Sequence, residues 1–153
     1  MDQMTDKRIA DLLAGPHQAI LSIARKDKGP LAVPMSYRFV DGTFLFVTSE
    51  ETLHGKLMLK RGRATMTVQE ALSDGLTVDQ WYVIAEGPIR FTEEDPFPQV
   101  RFILAKDRGE EYADAWLAQI ASGGDQVAVL DPDRITGYES HRRLESDHNS
   151  STY

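Results

Sequence analysis

The sequence predicts a mainly β domain, a small antiparallel barrel with helices packed outside it. Three observations carry that prediction. Several segments alternate apolar and polar residues with a period of two, most neighbouring segments are joined by short turn-forming stretches, and the helical segments are grouped between strands rather than alternating with each one. The chain of 153 residues, 41% hydrophobic, is the right size for one domain, and residues 1–138 are expected to form it.

A first helix is expected over residues 3–14, with Ile9, Leu12 and Leu13 on one face and Gly15-Pro16 ending it. Ala19 to Arg25 reads as a short apolar strand, followed across Lys26-Asp27-Lys28-Gly29 by a longer one. In that longer strand Leu31, Val33, Met35, Tyr37 and Phe39 alternate with Ala32, Pro34, Ser36 and Arg38. Asp41-Gly42 is a strong hairpin signal and leads into Phe44 to Val47, which predicts a three-stranded meander. A short helix should fill the gap before Arg63, its start marked by the capping-box spacing of Thr48 and Glu51.

Alternation returns at Arg63 to Gln69 and at Trp81 to Phe91, where Gly87-Pro88 suits a bulge or barrel corner. Two helices follow. Val100, Ile103 and Leu104 share a face in the first; Tyr112, Trp116 and Ile120 recur every fourth residue in the second. Gln126 to Leu130 is a sixth strand, and Asp131-Pro132-Asp133 turns into a last extended piece, Arg134 to Tyr138. Residues 139–153 are polar and bury too little to offset chain entropy, so a disordered tail is expected. The sequon Asn149-Ser150-Ser151 within it is read as accidental.

Composition removes several functional classes. The net charge of -7 disfavours a general nucleic-acid binder, which needs basic surface. The absence of cysteine removes disulfides and thiolate chemistry. No apolar run approaches the roughly 18 residues of a membrane span, and the first residues do not resemble a secretory signal. A cytoplasmic setting is expected. The histidines His17, His54, His141 and His148 lack metal-ligand spacing, and nucleophile-elbow, dinucleotide and P-loop glycine patterns are missing. Carboxylates fall mostly in runs, as solvated faces do. If the protein is an enzyme, its reacting group is expected to be borrowed.

Three features remain as candidates. The window His54 to Arg63 contains Lys56, Lys60, Arg61 and Arg63 and no acid. Lys56 and Lys60, four apart, would share a helix face and could grip a phosphate or carboxylate. The same cations would also suit a solvated face near a helix C-terminus, and Glu50 and Glu51 argue against phosphate binding at that helix's N-terminus. Pro34 cannot donate to a sheet ladder, so it marks an edge, a bulge or a place where a planar ring lies alongside. Trp81 and Tyr82 could stack on an aromatic ligand or serve as core and rim.

The run Val33-Pro34-Met35-Ser36-Tyr37, then Asp41 to Thr48, then Arg61-Gly62-Arg63-Ala64, then Trp81 to Gly87 resembles the pyridoxamine 5'-phosphate oxidase-like split-barrel family of flavin and deazaflavin oxidoreductases. The likeness extends from His17 to Phe91, with Leu130 to Ile135 similar to the closing strand. It implies a six-stranded antiparallel split barrel, a homodimer, and cofactors at sites shared between subunits. By the same likeness, Val33, Pro34, Met35 and Ser36 would lie along the ring, and Thr48 and Ser49 would approach the cofactor chain. Lys56, with His54 beside it, would meet the phosphate; His54 itself is the alternative by position. Lys60 and Arg61 would suit an anionic tail, and Trp81 completes the expected set. The chain is similar to the F420-using branch, with FMN as the alternative cofactor and a non-catalytic binding module as a further one. A reduced deazaflavin transfers hydride, while protein supplies orientation and charge complementarity.

Overall fold

A computed structural model of the chain describes residues 1–119, 124–143 and Glu145. In chain order the elements are β1 (Asp2–Gln3), α1 (Asp6–Leu13), β2 (Gln18–Ile23), β3 (Leu31–Ser36), β4 (Arg38–Val40), β5 (Thr43–Thr48), α2 (Leu53–Arg61), β6 (Arg63–Ser73), β7 (Thr77–Phe91), α3 (Phe97–Arg108), α4 (Glu110–Leu117), β8 (Gln126–Leu130) and β9 (Arg134–Arg143). The architecture is mainly antiparallel β with flanking helices, as expected. The described residues form nine strands rather than six. Beyond the six, β1 and β4 are additional, and β9 is the expected last extended piece, paired in the sheet and longer than Arg134 to Tyr138.

β4 exists because the alternating run Leu31 to Phe39 is two strands. β3 pairs with β2, from Ile23↔Leu31 to Gln18↔Ser36, whereas β4 pairs with β5 through the two-residue Asp41-Gly42 turn. Both turn residues have positive φ, as a type I′ hairpin requires. The chain changes partner at Tyr37, which is fully buried and donates its phenol hydrogen to the Leu13 carbonyl at 2.9 Å. The expected three-stranded meander is therefore two hairpins in different halves of the sheet.

The path runs β3-β2-β6-β7-β8-β5-β4, with β9 on β7 and β1 on β9. β7 is the element common to both halves. Up to Pro88 it pairs with β6, and from Ile89 to Phe91 with β8, so Gly87-Pro88 is the corner the sequence marks. Since β3 and β4 are consecutive, the two ends of the path are joined by the chain at Tyr37 without being hydrogen-bonded to each other.

The inner faces meet in one core. Ala19, Leu21, Ile23, Met66, Val68, Val83 and Ala85 face Phe44, Phe46 and Leu130, all essentially without exposure. Each large side chain buried this way contributes about 1.5–3 kcal/mol.

Several boundaries differ from the expected ones. α1 begins at Asp6, where Thr5 accepts from the Arg8 N–H at 3.2 Å, because Asp2 and Gln3 pair with Glu139 and Tyr138. β9 continues past Tyr138 to Arg143, laddered on Thr77 to Trp81 of β7. Of the segment expected as a tail, residues 144 and 146–153, including the sequon and His148, lie outside the described residues. α3 buries Ile103. α4 packs through the small Ala113 instead of the expected aromatic stripe, leaving Tyr112 half-buried and Trp116 exposed, while Ile120 lies outside the described residues.

Candidate functional site

β3 ends the sheet path, so one of its edges has no strand partner among the described residues. Pro34 lies opposite Ile20 on that strand with its side chain exposed. An edge position is where a residue without an N–H costs the ladder nothing. Val33 and Met35 are half-buried and pack against the core, and the Ser36 hydroxyl accepts from the Gln18 side-chain amide at 3.3 Å. The strand thus presents a short, unladdered stretch of backbone backed by apolar side chains.

The second component is the loop from β5 into α2. Thr48 is buried, and its Oγ1 lies 2.6 Å from His54 Nε2. Ser49 Oγ accepts from the Glu51 N–H at 3.1 Å, and the Thr52 hydroxyl donates to the Ser49 carbonyl at 2.8 Å. Thr52, not Thr48, is the N-cap of α2, with its Oγ1 accepting from the Gly55 N–H at 3.0 Å. This corrects the expected capping box and has a chemical consequence. Glu50 and Glu51 precede the helix, Glu50 is held by Gln126 of β8 through two hydrogen bonds, and no acid occupies the first turn. Both carboxylates thus precede the helix instead of lying in its first turn, and that of Glu50 is drawn to Gln126.

Gly55 fixes this geometry. A Cβ at position 55 would lie 2.1 Å from the Ser49 carbonyl oxygen, so only glycine lets α2 seat against the loop.

The cations divide into engaged and unengaged groups. Arg63 makes a two-pronged ion pair with Asp133, at 2.8 and 3.1 Å, which holds the Asp133 carboxyl below its ordinary range. Arg61 donates from Nε to the Ala24 carbonyl at 3.2 Å, pinning the end of α2 to the end of β2. Lys56 and Lys60 are exposed on α2 and have no ion-pair partner among the described residues. Burial lowers the His54 pKa, so the ring is neutral around neutral pH and its Nε2 is occupied with Thr48. Within the basic window, positive charge without a carboxylate partner therefore rests on Lys56, Lys60 and Arg61, of which Arg61 is tied to the Ala24 carbonyl.

Trp81 is not brought to this place. It lies opposite Glu70, seven residues along β6 from Arg63, hence about 23 Å from the end where α2 joins. It is buried, with its ring 4.9 Å from that of His17 in an edge-to-face contact. On the opposite, outer face beside it, Tyr82 and Tyr138 pair with ring centroids 5.4 Å apart.

Two residues that shape the site carry no chemical signature in sequence. Gln126 is an ordinary polar residue at a strand start, and nothing local tells that it holds Glu50. Gly55 is visible only as a glycine near a helix start, and its necessity depends on the approach of Ser49.

A β-sheet whose free ends meet at an unladdered corner is the split-barrel arrangement. The chain has the fold of the pyridoxamine 5'-phosphate oxidase-like split-barrel proteins. Solved structures sharing it include a conserved hypothetical protein from Mycobacterium tuberculosis, 14% identical, with a TM-score of 0.69 over 94% of each chain. A FAD-binding protein from Mesorhizobium loti is 15% identical, with a TM-score of 0.64 over 91% of this chain and 97% of that one. A candidate pyridoxamine 5'-phosphate oxidase from Corynebacterium glutamicum is 13% identical, with a TM-score of 0.58 over 95% of both chains. At these identities the likeness is one of fold. The sequence matches no protein-family model and no curated protein. Among the described residues no helix is long and apolar enough to cross a membrane, and no cluster of metal-ligating side chains is present.

Proposed function

We propose that the protein is a homodimeric oxidoreductase that binds a flavin or deazaflavin, FMN or F420, along the free edge of β3. The observation that carries this reading is that edge: Pro34 exposed on a strand without an outer partner, backed by half-buried Val33 and Met35. A flat ring needs backbone to hydrogen-bond its polar rim and apolar side chains against its face, and these are available together there. FAD binding by the Mesorhizobium loti neighbour supports a flavin-type guest.

The residues would divide the work as follows. Val33 to Ser36 orient the ring. Thr48 and Ser49, ordered by His54 and Thr52, face the chain attached to it, and Lys56 supplies the charge for its phosphate, with Lys60 and Arg61 further along α2. The bound group would supply hydride transfer; the protein holds it in place and limits water.

A shared site is supported by the outer face of the sheet. Pro34, Ile20, Thr67, Ile84 and Thr136 form one row across β3, β2, β6, β7 and β9. Ile20 is 41% and Ile84 37% exposed, although both lie mid-sheet. A second copy related by a two-fold axis through this row would carry its Tyr82–Tyr138 pair toward the α2 end of the first. Ile84→Lys is expected to shift the protein to monomer in sedimentation velocity.

The test of the cofactor is direct. Protein purified under mild conditions is examined by visible spectroscopy and mass spectrometry, then titrated with FMN, FAD and F420. Saturable binding of at least one, lost with dimerisation in Ile84→Lys, is the expected result. No binding of any of the three ends the proposal.

A further inference from the structure

The last turn of α2 and the turn between β2 and β3 form one corner of the molecule. Arg61 joins them: its Nε donates to the Ala24 carbonyl at 3.2 Å, one residue before Arg25. Arg25 in turn donates from its own Nε to the Gly29 carbonyl at 2.8 Å, which closes the turn and leaves Lys26, Asp27 and Lys28 exposed. Residues 24–30 and 53–61 together hold six cations, Arg25, Lys26, Lys28, Lys56, Lys60 and Arg61, against the single carboxylate of Asp27. None of the six has a carboxylate within ion-pairing distance among the described residues, on a chain whose net charge is -7.

The helix adds a second observation. At about 100° per residue, Leu59, Lys56, Lys60 and Leu53 succeed one another across an arc of roughly 120°, and all four are exposed. Leu59 is 58% and Leu53 60% exposed, so the two lysines are flanked on either side by a leucine that the chain leaves uncovered. Gly55 and Met58 face the other way, into the protein. Such a face meets both demands of an anionic bilayer surface. Leucine side chains enter the boundary between headgroups and acyl chains, while the lysine heads stay at the level of the phosphates. Lys26 and Lys28, outside the helix, add attraction through charge alone. An acidic polypeptide or a nucleic acid would satisfy the cations and leave the leucines in water.

We infer that this corner is a docking surface for the anionic face of a lipid bilayer, on which the protein lies peripherally, with Leu53 and Leu59 inserted and the cations around them. Lipid docking does not rest on the cofactor reading. Lys26, Lys28 and Leu59 have no part in that reading, so each can be altered without touching it.

Vesicle sedimentation of the full chain, with no cofactor added, tests the inference. The probes are extruded vesicles of phosphatidylcholine alone, the same with about 30% phosphatidylserine, and a poly-glutamate peptide. Wild type should partition to the anionic vesicles about tenfold more strongly than to the neutral ones, a difference that high salt removes. Lys26→Gln combined with Lys28→Gln should lower partition to the anionic vesicles about tenfold. Leu59→Gln should lower it about threefold while leaving its salt dependence as in wild type, which a contact made by charge alone would not show. Arg101→Gln, which removes a cation on α3, should leave partition unchanged. Equal partition to the two kinds of vesicle overturns the inference, as does anionic binding that is unchanged in either the double variant or Leu59→Gln. Binding of the peptide by a protein that ignores both vesicles overturns it too, and makes the corner a site for acidic polypeptides. The altered residues of the corner are all exposed, so folding should be retained, and circular dichroism checks this. If the anionic vesicles bind but no flavin or deazaflavin does, the cofactor reading fails and this one stands.

Discussion

At the end of β6 nearest α2, Lys56, Lys60 and Arg61 have no carboxylate within ion-pairing distance among the described residues. At the other end the ionisable groups contact one another. Arg8 meets Glu139 at 3.1 Å, His141 meets Asp79 at 2.7 Å and Glu139 at 3.8 Å, and His17 lies 3.8 Å from Glu70. Both ends are rich in ionisable groups, so density of charge does not mark a site. What separates them is what is left over: both ends hold ion pairs, Arg63 with Asp133 at the α2 end among them, but only the α2 end adds lysines without counter-ions, and on an acidic protein these can focus an anion.

The contrast can be broken at its mechanical root. Gly55→Ala forces a Cβ against the Ser49 carbonyl, and overpacking of this kind should destabilise the protein by about 3 kcal/mol, read as a lowered midpoint in urea unfolding. It should also displace α2 and reduce cofactor affinity. Lys56→Ala tests the charge alone: folding should be unchanged, and binding of the preferred cofactor weaker by about 1 to 3 kcal/mol in a fluorescence titration. Equal affinities would return α2 to the status of a solvated face.

His54 sharpens the comparison through pH. Burial depresses its folded-state pKa below the unfolded value of 6.5. The unfolded chain therefore takes up the proton first, and the contribution to stability is intact above about pH 6.5 and declines as pH falls toward the depressed value. Urea unfolding at pH 7.5 and 5.5 should show a larger loss for wild type than for His54→Gln. The smallest effect belongs to the satisfied end. Arg8→Ala removes a partly exposed ion pair, should cost about 0.5 kcal/mol, and should leave cofactor affinity untouched.

Period-two patterning made nearly every long strand legible, because burial of one face is written residue by residue. It could not locate the break at Tyr37. Leu31 to Phe39 keeps one uninterrupted alternation, and the exchange of partner from β2 to β5 is a tertiary event that leaves no local mark. The cap of α2 was misplaced for a related reason: Thr48 and Thr52 are equally good caps in sequence, and Thr48 is consumed by β5 and His54. The extension of β9 was hidden because Glu139 to Arg143 are polar, their order coming from ladder bonds and from Arg8 and Asp79. The basic window and Pro34 stand out in the sequence by residue type alone. The distance from Trp81 to that window does not, since both flank strands that look contiguous until their register is known.

The unladdered corner at Tyr37 has a thermodynamic consequence. Everywhere else along the sheet path, a flat molecule could enter between strands only by rupturing backbone hydrogen bonds, each of which leaves two unsatisfied groups behind. Between β3 and β4 there are none to rupture, so occupancy is opposed by desolvation and by ordering of nearby side chains alone. Altering a few residues around the gap would change what it could hold while the rest of the weave stays intact.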